Sequence, residues 1–248
     1  MDDPVRPAVL VFHGLGGGPY ELQPLIDVLR DAGRRVEAPT LPGHDGPGPV
    51  MPASTWVEWT LAAQNWFDQL ALEGRPVAAV GFSTGAVIAI HLAMRRPVER
   101  LALIAPFFAI RYTGWLPFRT GLVVRTLARV VPNLRRRSPA VREPEARRRL
   151  ATLDRFRTFS LPAAASALEL IEAVEPTLPT ITAPTLILQG AHDTVVEPGR
   201  AGRLLDRLGS PRKRLVTLER SDHLAFHDLD RDRALAEVVA FLNEDPSE

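Results

Sequence analysis

The stretch Gly81-Phe82-Ser83-Thr84-Gly85 sets a serine between two glycines, directly after an apolar run at 77–80 and directly before a helical pattern at 86–94. A serine held on so sharp a strand-to-helix turn has its hydroxyl presented at the carboxyl edge of a sheet, and the glycines leave room for neighbouring backbone. The first N–H groups of the following helix face that position and favour negative charge there. These are the requirements of a nucleophile for acyl transfer. A serine hydroxyl is a weak nucleophile near neutrality, so it needs an adjacent base, itself held in one tautomer by a carboxylate.

Six histidines are available as the base. His223 follows the last apolar run within five residues of Leu218, on a loop that a sheet would bring over Ser83. His227, one helical turn later, is the rival and fits a surface or supporting role better. His192 reads as a loop residue. The acid is expected just past an earlier strand, and the run at 185–189 leads through Gly190-Ala191-His192 to Asp193. Asp222 and Asp228 are also near and either structural or competitors for the imidazole, but each is close in sequence to His223 and less suited than Asp193 to reach its far nitrogen.

Acyl transfer also needs donors aimed at the tetrahedral oxyanion. His13-Gly14-Leu15-Gly16-Gly17-Gly18 follows the first apolar run and precedes the first helical stripe, so the backbone N–H of Leu15 is expected to pair with that of Thr84, with Gly14 on the substrate side. A phosphate-binding reading of these glycines lacks the Lys-Ser/Thr ending and the acidic partner it requires. His13 reads as a loop anchor, and His44 in Leu41-Pro42-Gly43-His44 as structural.

The elements that must position these groups are short apolar runs at 8–12, 76–80, 101–104, 185–188 and 214–218, alternating with helical stripes such as Leu22, Leu25, Ile26 and Leu29, or Trp59, Ala63, Trp66, Phe67 and Leu70. Such alternation predicts a mostly parallel sheet flanked by helices, an α/β fold. Leu235, Val238, Val239 and Leu242 predict a closing helix. Residues 105–182 break the rhythm, with several prolines, no clear strand and patchy stripes such as Leu122, Val123, Leu127, Val130 and Val131. They read as a helical insertion, a cap, between core segments 1–104 and 183–248.

The chain resembles the α/β-hydrolase superfamily, and within it the bacterial carboxylesterase and monoacylglycerol lipase group. The resemblance rests on Val9 through Gly17, Leu41-Pro42-Gly43-His44, Gly81 through Ala86, Ala183 through Gly190 with Asp193, and Ser221-Asp222-His223. The order Ser83, Asp193, His223 is that of this superfamily. The resemblance implies hydrolysis of short- to medium-chain esters or monoacylglycerols without a cofactor, beneath a cap that covers the acyl pocket. Two positions depart from the group: Thr84 stands where Leu, Met or Gln is common, and Asp222 where Gly usually precedes the base.

At the start of the insertion, Phe107, Phe108, Trp115, Leu116, Phe118 and Leu122 form an apolar cluster, fitting either an acyl-binding wall or packing of the cap on the core. From Arg119 to Arg157 twelve arginines face only Glu143, Glu145 and Asp154, a local balance of +9 in a chain whose net charge is +1. That face is either simply solvated or suited to weak contact with an anionic lipid surface. A chain so nearly neutral overall does not fit a nucleic-acid binder, and the absence of cysteine removes disulfides and thiolate chemistry. No spacing suggests a metal site. The acidic start, Met1-Asp2-Asp3, does not fit a secretory leader, so a cytoplasmic location is expected. Oligomeric state is left open. Thioester, peptide or carbon–carbon cleavage by the same groups, or a non-catalytic binding or sensor protein, are the competing readings.

Overall fold

The computed structural model describes residues 6–46, 48–108, 124, 126–128, 130–136, 138–153 and 156–244. In chain order the elements are β1 (Ala8–Phe12), α1 (Gln23–Asp31), β2 (Val36–Glu37), α2 (Trp56–Ala71), β3 (Val77–Phe82), α3 (Thr84–Ala93), β4 (Leu101–Ile104), β5 (Asn133–Arg135), α4 (Pro144–Leu153), β6 (Thr158–Ser160), α5 (Leu161–Val174), β7 (Thr185–Gly190), α6 (Gly199–Arg207), β8 (Lys213–Leu218) and α7 (Arg231–Asn243). Six strands form one parallel sheet in the order β2-β1-β3-β4-β7-β8.

Alternate residues of each strand feed two different cores. Ala8, Leu10 and Phe12 join Ala79, Leu101, Leu103 and Ile187 beneath α2, α3, α5 and α6. Val9 and Val11 join Val80, Ile104 and Leu188 beneath α1 and α7. Burial on both faces is why these strands read as unbroken apolar runs rather than as an alternating pattern. The two-residue edge strand β2 was not anticipated, because Val36 alone supplies its apolar signal.

Local chemistry sets the helix boundaries. Thr55 accepts from the Glu58 N–H while Glu58 reaches back to the Thr55 N–H, a capping box that starts α2. Trp59, on the first turn of α2, is fully buried and sends its indole N–H to the Pro42 carbonyl and the Ser54 hydroxyl.

Between β4 and β7 the chain forms a small antiparallel pair, β5–β6, and the helices α4 and α5. The sequence predicts no strand here, so β5–β6 is a correction. Its residues, Asn133-Leu134-Arg135 and Thr158-Phe159-Ser160, carry little apolar patterning because the pair forms outside the main sheet. The inner helix α5 starts on a Ser160 side chain that accepts the Ala163 N–H. Its Ala163, Ala167, Leu170 and Val174 belong to the same buried cluster as α2 and α3, so the last helix of the insertion packs as one body with the sheet. Among the described residues no helix is long and apolar enough to cross a membrane.

Candidate active site

Ser83 follows the last residue of β3 and has φ 53° and ψ −118°, a left-handed conformation rare outside glycine. Three bonds hold it there. Its N–H donates to the Ile104 carbonyl at 2.9 Å, and its own carbonyl accepts from Ala86 at 3.0 Å and Phe107 at 3.2 Å. Both flanking glycines are required by close backbone approach. A Cβ on Gly81 would lie 2.3 Å from the Gly85 carbonyl oxygen, and one on Gly85 would lie 2.3 Å from that of Phe12.

The three residues singled out from the sequence come together at the carboxyl edge. His223 Nε2 lies 3.0 Å from Ser83 Oγ, and His223 Nδ1 lies 2.7 Å from Asp193 Oδ2. A carboxylate only accepts, so Nδ1 carries the proton and Nε2 is left to accept from the serine hydroxyl. Asp193 is fully buried. Its Oδ1 accepts the Val195 and Val196 N–H groups at 2.8 Å each, and its Oδ2 also accepts from Gln189 Nε2 at 3.0 Å. Burial alone would raise the Asp193 pKa, but the His223 charge and hydrogen bond and the two backbone donors outweigh it, and the pKa falls. For His223, burial opposes the charged form, yet the Asp193 charge and hydrogen bond, helped by Glu21 and Asp222, hold the pKa above its ordinary value.

His227 faces away from this line. Its Nε2–H donates to the Tyr20 carbonyl at 3.0 Å, which ties the loop after β8 to the turn Pro19–Leu22. His192 is exposed.

The loop after β1 is held by two neutral histidines. His13 Nε2 accepts the Leu41 N–H at 3.0 Å, so its Nδ1–H donates to the Gly14 carbonyl at 2.9 Å. His44 Nε2 accepts the Gly16 N–H at 2.9 Å. Burial, with the adjacent His44, pushes the His13 pKa down to about 3, and burial also lowers that of His44. Glu21 takes the Gly14 N–H at 2.9 Å, and Gly17 donates to the Gly14 carbonyl. Arg136, the residue after β5, donates to the Gly16 carbonyl at 2.7 Å. With its neighbours thus engaged, the Leu15 N–H has no protein acceptor among the described residues. The Thr84 N–H, at the first position of α3, has no intrahelical acceptor.

A cavity of about 370 Å³ opens onto Ser83 and His223, walled by Leu15, Phe107, Leu134, Phe159, Val195 and Leu224. Gly14 and Phe107 line it as expected, but Phe108 does not. Successive residues past a strand end diverge, and Phe108 instead borders a separate depression beside Leu178 and Leu204. Trp115 lies outside the described residues. Glu21, Arg135 and Arg136 also border the cavity without having been anticipated. None sits in a motif, so only the folded loops bring them there. Among the described residues no three His, Asp or Glu side chains are grouped to hold a metal ion.

A parallel sheet with a serine on the turn after a central strand, and a carboxylate and a histidine on the loops after β7 and β8, is the architecture of an α/β-hydrolase, and the chain is a serine hydrolase of that class. Residues 3–230 match the Hydrolase_4 family, described as serine aminopeptidase, S33, and the chain belongs to that family. It is similar to the thermostable monoacylglycerol lipase of Bacillus sp. (strain H-257), 26% identical over 94% of this chain and 89% of that protein. It is also similar to the carboxylesterase of Bacillus subtilis (strain 168), 24% identical over 96% and 92%. A solved metagenome-derived lipolytic enzyme superposes with a TM-score of 0.82, at 25% identity over 96% of this chain and 94% of that one.

Proposed function

We propose that the protein is a carboxylic-ester hydrolase acting on short- to medium-chain esters or monoacylglycerols, with Ser83 as nucleophile, His223 as general base and Asp193 as orienting acid. The observation that carries this reading is the continuous hydrogen-bonded line from Asp193 through His223 to Ser83, opening into a largely apolar cavity of about 370 Å³. That volume lies near the small end of the range for ligand pockets and suits one acyl chain rather than several. Two lipolytic or esterolytic relatives that match most of the chain support the substrate class.

Ser83 Oγ attacks the ester carbonyl as its proton passes to His223 Nε2, and Asp193 stabilises the resulting imidazolium. The oxyanion is received by the Leu15 and Thr84 N–H groups. Collapse breaks the carbon–oxygen bond, and His223 returns the proton to the departing alcohol. Water then attacks the acyl-enzyme by the same steps, with His223 as base, releasing the acid and restoring Ser83. Because the base must be neutral, acylation is expected to rise with pH through a His223 pKa lying above 6.5. We assign residues 105–182 as the cap that encloses the acyl chain.

The test is turnover of p-nitrophenyl esters of increasing acyl length and of a monoacylglycerol by wild type and Ser83→Ala. Turnover lost on the order of a millionfold in the variant, with an optimum at short or medium chains, supports the reading. The family's description names an aminopeptidase, so aminoacyl p-nitroanilides belong in the same panel. Preferential cleavage of these amides, or ester turnover that survives Ser83→Ala, overturns it.

A further inference from the structure

Behind His223 lie two carboxylates, Asp222 and Asp228, that the chemistry above does not use, and both are buried. Asp222 Oδ1 accepts from the Thr194 N–H at 2.8 Å, the Thr194 hydroxyl at 3.0 Å and the His223 N–H at 2.7 Å. Thr194 adjoins Asp193, so one carboxylate joins the loop carrying the acid to the residue carrying the base.

Asp228 accepts four backbone N–H groups from two distant parts of the chain. Its Oδ2 takes Asp222 at 2.8 Å and Arg142 at 2.9 Å, and its Oδ1 takes Glu143 and Leu229 at 2.9 Å each. The Leu224 N–H adds a bond to the Ala140 carbonyl at 3.1 Å. Ser138, Pro139 and Ala140, separated from Arg142 by Val141, line the cavity together with His223 and Leu224. A run of hydrogen bonds therefore leads from the acid loop through the base loop to the wall of the pocket.

We infer that Asp222 and Asp228 are positioning residues for the base: Asp222 sets His223 against the Asp193 loop, and Asp228 locks the same loop to the cavity wall. This inference rests on the triad reading. It makes the orientation of the base and the shape of the acyl pocket one mechanical unit. A buried N–H deprived of its acceptor pulls its segment toward a new partner, and small displacements of a base lose much of its rate.

The test is the rate at which a fluorophosphonate probe labels Ser83, followed through the titration of His223, together with ester chain-length profiles. The charged groups bearing on His223 are Asp193 from the acid loop, Glu21 from the turn after the β1 loop, and Asp222 itself. Asp222→Ala strands the Thr194 and His223 donors and is expected to lower the plateau rate by roughly ten- to a hundredfold. Asp222→Asn keeps an accepting oxygen but removes the charge. It is expected to hold the plateau within about threefold while the rate limb moves to lower pH, a signature that a purely structural role does not produce. It also carries the test if the alanine variant does not fold.

Asp228→Asn gives one pair of N–H groups a neutral acceptor and turns an NH2 toward the other pair, which is left without an acceptor, and is expected both to slow labelling and to shift the preferred acyl length. Wild-type rates and limbs in both Asp222 variants overturn the inference. So does an Asp228→Asn variant that slows labelling yet keeps the wild-type chain-length profile. Failure of wild type to be labelled at Ser83 overturns the triad reading itself, an outcome separate from either.

Discussion

The catalytic edge and the insertion between β4 and β7 are built to different standards. At the edge, Ser83, Asp193 and His223 are buried; Ser83 and Asp193 are tied by their N–H groups to the Ile104 and Gly190 carbonyls of β4 and β7, and His223 by its N–H to the Asp222 carboxylate. The outer part of the insertion leaves Leu127, Val130, Leu134 and Leu153 largely exposed, and its strands are three residues long. Among the described residues it meets the edge through polar links such as Arg136 to the Gly16 carbonyl and the Arg142 and Glu143 N–H groups to Asp228, and through the buried Val141, Ala146 and Leu150. The contrast teaches that the edge is set by backbone with little room to move, whereas the outer part of the insertion presents exposed side chains; in the proposed function the first would carry the chemistry and the second the selectivity.

The contrast yields ordered expectations. Asp193→Asn removes the charge that sets the His223 tautomer while keeping its shape. The expected loss is about 10⁴-fold in kcat, with KM little changed, measured on the preferred p-nitrophenyl ester. Gly85→Ala forces a Cβ against the Phe12 and His13 carbonyls, neither of which can yield as a flexible side chain would. The expected cost is about 1–3 kcal/mol or more, read as a lowered Tm in thermal unfolding together with reduced labelling of Ser83.

Phe159→Ala, on the insertion, is expected to move the acyl-length optimum while leaving kcat on the shortest ester within a few-fold, roughly 1 kcal/mol of transition-state energy. Loss of all turnover in a folded Phe159→Ala protein would erase the distinction between the two regions.

A separate expectation concerns pH. His13 is held neutral in the fold, with its pKa down at about 3 against an ordinary 6.5. Between those values the unfolded chain binds a proton that the folded chain refuses. Its contribution is thus present above pH 6.5 and is lost as pH falls from 6.5 toward 3. His223 has the opposite sign: its raised pKa contributes below 6.5, and the contribution is lost as pH rises through the folded value. Thermal unfolding of wild type across the acid range should show a falling Tm, with a shallower fall in His13→Asn. Parallel slopes would mean that the β1 loop does not depend on a neutral imidazole.

The same contrast explains what was legible in the sequence. Four of the six strands of the sheet announce themselves because both faces are buried, and β8, only partly buried, shows through the run Leu215-Val216-Thr217-Leu218; the candidate site follows by position, since Ser83, Asp193 and His223 stand on the turns after β3, β7 and β8. The insertion is less readable. Helix α5, with the sequence LPAAASALELIEAV, packs on several sides through small residues, which blurs the stripe that would mark it. The β5–β6 pair carries Asn133 and Arg135 where an apolar alternation would have revealed it. Arg136 and Asp228 matter through backbone partners distant in sequence, and no local spacing encodes a partner of that kind.

The left-handed Ser83 also bears on how this sequence can change. A non-glycine residue in such a conformation costs on the order of 1–3 kcal/mol, a sizeable share of the margin by which a domain stays folded. Selection for robustness alone would favour glycine at position 83, so the serine persists only while its hydroxyl is needed. A descendant freed from catalysis would be expected to lose this residue early and become sturdier by losing it, because at this position durability and reactivity are opposed.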